Sequence, residues 1–146
     1  MAVNVSTYEY QPSFLLGFHG CDADIGEKIL SSNGLHLSHS KKDYDWLGHG
    51  IYFWEGNPAR AMEWAQQRQR EGLIKTPFVL GAIIDLKHCL DLFDSFGLAI
   101  VKAAHTELQA TLQLTGQAMP QNVGKTPDKA GRKLDCAVMN FLHESH

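Results

Sequence analysis

Two short apolar runs, Phe14-Leu15-Leu16-Gly17-Phe18 and Phe78-Val79-Leu80-Gly81-Ala82-Ile83-Ile84, most constrain what this chain can fold into. Runs of this length, rich in aromatic and branched side chains, read as buried strands, and both are far too short to span a bilayer. The second is nearly continuous in its apolar character, which predicts a strand central in a sheet. A third aromatic and β-branched segment, Ile51-Tyr52-Phe53-Trp54, predicts another strand.

Between these strands the helix signals are specific. Asp24-Ile25-Gly26-Glu27 has capping-box spacing, and Asn33-Gly34 is a stop, so a helix of about two turns is expected there. Asn57-Pro58 starts a second helix carrying Ala61, Trp64, Ala65 and Arg68 on one side and ending at Gly72. Asp94-Ser95 caps a third, with Leu98, Val101, Ala104, Leu108 and Leu112 at spacings of three and four, closing near Gly116. Thr126-Pro127 is expected to start a fourth, bearing Leu134, Val138, Phe141 and Leu142. Residues 35–48 and 117–126 are polar and read as loops. The pattern is α+β, with strands in the first half and helices afterwards.

At 146 residues, 44% hydrophobic and 20% charged, the chain has the size and composition of one globular domain covering 1–146. A net charge of −3 with acids and bases interspersed excludes a generally polyanion-binding surface. Cys21, Cys89 and Cys136 form no CxxC pair and read as free thiols of a reducing compartment. Met1-Ala2-Val3-Asn4-Val5 has neither a basic nor an apolar signal region. A cytoplasmic protein with no membrane association is expected.

Four features carry the chemistry when taken in order. A strand ends in His19-Gly20; a short helix and Gly34-Leu35 follow; then comes Gly48-His49-Gly50-Ile51-Tyr52-Phe53; then the helix with Ala61, Trp64 and Ala65. This order resembles the ADP-ribosyltransferase superfamily, in its poly(ADP-ribose) polymerase and diphtheria-toxin branch. There a His-Gly-Ser/Thr strand end, a Gly-Leu turn and a Gly-x-Gly-Ile-Tyr-Phe strand build a nicotinamide pocket. Cys21 stands where that motif has Ser or Thr. The resemblance covers roughly residues 14–65.

The resemblance implies a split β-sheet with flanking helices, NAD as substrate, and transfer of ADP-ribose to a protein or nucleic-acid acceptor with release of nicotinamide. His19 and Tyr52 would be its catalytic residues, and His19, Gly20, Gly50, Tyr52 and Trp64 would bind the cofactor. The residue types suit those roles. Glycine at position 20 leaves its backbone open to the carboxamide, His19 would donate to a ribose hydroxyl, and Tyr52 offers a flat face to the nicotinamide ring. Trp64 matches a second aromatic by position rather than by type. The loop 36–48 would help choose the acceptor. By analogy of fold, such a domain would suit a toxin held by an antitoxin-like partner.

The same branch places a Glu or Gln on a later strand to support charge at the anomeric carbon. Here Glu107 falls in the third predicted helix and Glu144 in the last few residues, so neither fits. The domain is therefore expected to be incomplete at its C-terminal end, to take that residue from another chain, or to bind NAD or ADP-ribose without transferring it. A tRNA 2′-phosphotransferase using NAD is a further alternative, with thin support in Lys41-Lys42 and Arg68 to Arg70. His36, His39 and His49 lack the spacing and partners of a zinc site, so no metal is expected. Cys21 has no base positioned to activate it.

Overall fold

The computed structural model describes the backbone of residues 9–145 and, from residue 14, their side chains; the reading of the first five residues lies outside them. The elements are β1 (Glu9–Asp22), α1 (Ala23–Ser31), β2 (Trp54–Glu55), α2 (Pro58–Arg70), β3 (Pro77–Cys89), α3 (Ser95–Leu114) and α4 (Lys133–Ser145). They make an α+β chain with a three-stranded antiparallel sheet in the order β2-β1-β3. No helix among the described residues is long and apolar enough to cross a membrane.

The central strand is β1, so the expectation that the 78–84 run would be central is corrected. Its apolar run is continuous, but its burial alternates: Leu80 is 8% exposed and Ile83 is 75% exposed. That alternation is the signature of a strand with one face covered. The strand predicted over 51–54 also shrinks, to Trp54–Glu55, paired antiparallel to β1 through Phe18↔Trp54 and Gly17↔Glu55. Ile51 and Phe53 pack instead against the cluster built on Cys21, Leu37 and Leu80.

The chain divides into two compact units. Residues 10–38 and 51–87 form a strand unit, whose core is that Cys21, Leu37 and Leu80 cluster with Ile29 and Phe78 around it. Residues 39–50 and 88–145 belong to a helix unit. Its core is Ala104, Leu108, Val138 and Leu142 where α3 packs on α4. These apolar residues recur at helical spacing, which is why two amphipathic helices suffice to close a core.

Two of the helix starts form as the sequence indicates. The Asn57 side chain accepts from the Arg60 backbone N–H at 3.0 Å, with Pro58 in the first turn. The Asp94 side chain accepts from Gly97 N–H at 2.7 Å. Gly72 and Gly116, with φ of 75° and 68°, end α2 and α3 in the conformation glycine adopts without strain.

Two starts are displaced. The α1 cap is Asp22, not Asp24. The Asp22 carboxylate accepts from Lys75 N–H at 2.6 Å as well as from Asp24 N–H at 3.3 Å, so one side chain caps α1 and ties the 75–76 segment before β3. Thr126-Pro127 starts no helix; it forms a turn closed by Lys129 N–H on the Thr126 carbonyl at 2.9 Å. Helix α4 begins at Lys133, where the Asn122 side-chain oxygen Oδ1 accepts from Leu134 N–H at 2.9 Å. Its cap thus arrives from a distant part of the chain.

The Asp22 arrangement has a pH signature. The Lys75 backbone donor, and after it those of Asp24 and Thr76, hold the carboxyl below the usual carboxylate range. A carboxyl with a depressed folded-state pKa stabilises the fold above its unfolded pKa, and that contribution is lost as pH falls through the folded value. Asp22→Ala should therefore melt below the parent at neutral pH, and the gap should narrow as pH drops through the carboxylate range. Thermal melts from about pH 7 to about pH 2 check this; a gap independent of pH would remove the carboxylate from the explanation.

Candidate functional site

His19 and Gly20 close the apolar part of β1, and the register of the β1–β2 pair explains what surrounds them. Carried two residues beyond Phe18↔Trp54, it sets Tyr52 opposite Gly20. The ladder ends before that point, and the Tyr52 carbonyl instead accepts from the His19 imidazole, with Nδ1 2.7 Å away. A carbonyl only accepts, so Nδ1 carries the proton at this contact. The neutral ring then presents Nε2 as an acceptor, and donation to a ligand from Nε2 requires the charged ring. The donor role expected of His19 thus belongs to one protonation state only.

Helix α2 supplies the second wall. Ala61 and Ala65, both 0% exposed, let it approach the sheet closely. The approach is tight at Gly20, where a Cβ would stand 2.4 Å from the Ala61 carbonyl oxygen and 3.1 Å from Trp64 Cε3. Glycine is required there by helix-to-strand packing alone, whatever a ligand asks of its backbone. Trp64, on the next turn of the same face, has its ring centroid 6.4 Å from His19 and 6.0 Å from Trp54. The Arg68 guanidinium lies 5.1 Å from the Trp64 ring centroid, within cation–π reach, and also pairs with Glu71 at 2.7 Å.

The structure therefore brings together His19, Gly20, Trp64 and the backbone of Tyr52, all in the strand unit, with the His19 ring tilted against those of Phe53 and Trp64 rather than stacked flat. Gly50 belongs to the helix unit, with its backbone paired to Ser40: Gly50 N–H donates to the Ser40 carbonyl at 3.1 Å and its own carbonyl accepts from Ser40 N–H at 2.7 Å. Phe53, Trp54 and Arg68 join the site as neighbours of His19 and Trp64, contacts that the sequence reading does not assign to them. Phe53 lies 5.7 Å from the His19 ring, and the four-residue step from Trp64 to Arg68 on α2 was the legible sign of their contact.

Glu107 and Glu144 are exposed on α3 and α4 of the helix unit. Among the described residues, the elements after β3 are helices only. No group of three His, Cys, Asp or Glu side chains among the described residues is arranged to hold a metal ion.

Cys21, next in sequence, is buried, and that burial pushes its thiol pKa up, with the Asp22 charge adding to the effect. A protonated, buried thiol is a poor nucleophile. Alkylation with iodoacetamide at neutral pH, read by peptide mass spectrometry, should leave Cys21 unmodified until denaturant is added. Fast native labelling of Cys21 would contradict that.

Compared with protein-family profiles, with curated proteins and with solved structures, the chain gives no match in any of the three. What the site defines is therefore its own chemistry: a half-buried imidazole of fixed orientation, walled by aromatic rings at the end of a strand.

Proposed function

We propose that the strand unit binds NAD at His19, Gly20 and Tyr52, and that the protein transfers ADP-ribose from it to a macromolecular acceptor, releasing nicotinamide. One observation carries this reading. His19 and Tyr52, 33 residues apart in sequence, are joined by a 2.7 Å hydrogen bond from imidazole to backbone carbonyl. The two motifs that suggested a nicotinamide pocket are thereby neighbours, and the imidazole is oriented before any ligand arrives. In this reading Tyr52 is the platform for the nicotinamide ring, as the resemblance implies, while Trp64 lies under Arg68 and beside Trp54. Trp64 then serves as a brace for His19.

In this mechanism His19 fixes a ribose through Nε2, accepting from a hydroxyl while neutral. The nicotinamide leaves as the glycosidic bond lengthens toward an oxocarbenium-like state. Among the described residues, the contacts given for His19 include no carboxylate that would support that charge. This observation favours a second reading, a module that binds NAD or ADP-ribose without turning it over. Of the bases that the tRNA phosphotransferase reading calls on, Arg68 pairs with Glu71 at 2.7 Å.

The deciding experiment uses NAD labelled in the nicotinamide ring, with binding followed in parallel by calorimetry. Release of free nicotinamide supports the transferase, and saturable binding without release supports the module. No binding of NAD or ADP-ribose would sink both.

A further inference from the structure

The loop between Gly34 and Tyr52 carries almost no secondary structure, yet its second half is not loosely held. Contacts from several positions of α4 reach residues 39–50. Lys133 Nζ pairs with the Asp43 carboxylate at 2.6 Å, the Cys136 thiol points at the Lys42 carbonyl at 3.4 Å, and Asn140 Oδ1 accepts from His49 N–H at 2.7 Å. Positions 133, 136 and 140 follow helical spacing and so share one face of α4. The loop side is shaped to match. Gly48 is buried with φ of 80°, and a Cβ on it would stand 2.9 Å from Asn140 Oδ1 and 3.1 Å from Met139 Cβ. Both the positive φ and the close approach require glycine at that point. Within the loop, Ser40 and Gly50 pair across its base, and Asp45 Oδ2 accepts from Lys42 N–H at 2.9 Å.

From this we infer that residues 39–50 are a strap latched onto one face of α4, and that Asn140 is its positioning residue. Of these contacts, the Asn140 bond with the seated Gly48 dominates. The Lys133–Asp43 pair is solvent-exposed, at 47% and 64%, and such pairs contribute little. A thiol is a weak donor, so the Cys136 contact also adds little as a bond. The consequence deepens the transferase reading and rests on it in one respect only. If residues 36–48 face the acceptor, α4 sets the shape of that surface, and acceptor choice is altered from Asn140. The latch itself does not depend on NAD.

Hydrogen exchange read by mass spectrometry tests the latch on the full chain, with no ligand present. Asn140→Ala and Gly48→Ala, approaching the same contact from opposite sides, should each speed exchange across residues 42–50 by about 10-fold, with the amides of α3 unchanged. Lys133→Ala should change the same segment by less than about 2-fold. Unchanged exchange of the loop in Asn140→Ala overturns the inference. So does a rise of equal size in α3, which would mark general loosening of the unit. A larger effect from Lys133→Ala than from Asn140→Ala overturns the assignment to Asn140. Because no NAD enters the measurement, its failure and the failure of the transferase reading are separable results.

Discussion

His19→Ala is expected to lower nicotinamide release from NAD by about 100-fold or more while leaving the thermal midpoint close to that of the parent. The size follows from what the residue does in the proposed reaction. It is an orienting group, and misplacement of a bound substrate by about 1 Å costs roughly 10²-fold. Stability should change little because His19 is half-buried and what it gives up is a hydrogen bond to the Tyr52 carbonyl. Such a bond contributes about 1 kcal/mol net. Tyr52→Ala tests the other partner differently. The carbonyl that holds His19 is backbone, so it survives the substitution, and what is lost is the ring. Tyr52→Ala should thus weaken NAD binding, and Tyr52→Phe should keep most of it, since the flat face remains. Steady-state release with matched binding isotherms checks both. Equal activity in parent and His19→Ala would remove His19 from the reaction.

Much of this fold was legible because its signals are local. Asn57-Pro58 and Asp94-Ser95 are caps whose donors lie within the next few residues, so composition at one point is enough. The starts that sequence misplaces depend on distant partners. Asp22 is recruited as the α1 cap while also binding Lys75 N–H, and Asn122 caps α4 across a loop that contains the misleading Thr126-Pro127. Asp22 and Lys75 stand 53 residues apart, and Asn122 and Leu134 are 12 apart with a loop between them, so neither contact shows in the local pattern at the helix start.

The candidate site divides in the same way. His19, Gly20, Tyr52 and Trp64 were chosen from motif and position, and their spacing could not say that the His19 side chain would take the carbonyl of Tyr52. That bond fixes the proton on Nδ1, and with it whether Nε2 accepts or donates. Gly50 was chosen from the same motif, and its backbone is committed to Ser40. The strap had a local trace in sequence, the Gly48 that closes a turn onto the Asp45 carbonyl at 2.8 Å within a polar loop. Its reason lies some ninety residues away, at Met139 and Asn140.

Gly20→Ala should unfold the strand unit more readily by about 3 kcal/mol, the upper end of what overpacking of one methyl costs. In a melt this is about 6–12 °C. The atom in the way is a backbone oxygen, Ala61 O, 2.4 Å from where the new carbon would stand. A side chain could rotate aside, but this carbonyl belongs to the ladder of α2 and moves only with the helix. Helix α2 is held there by Ala61 and Ala65, both fully buried, so it has little room to retreat. The test separates this account from one in which position 20 matters only to a ligand. Combining Gly20→Ala with Trp64→Leu shortens the second neighbour, at 3.1 Å, and leaves the first untouched. The double variant should therefore melt no higher than Gly20→Ala alone. Recovery of stability in it would assign the strain to the Trp64 ring instead. A Gly20→Ala protein that melts like the parent but no longer binds NAD would reverse the order of causes, making the ligand, and not the helix, the reason that β1 carries a glycine after His19.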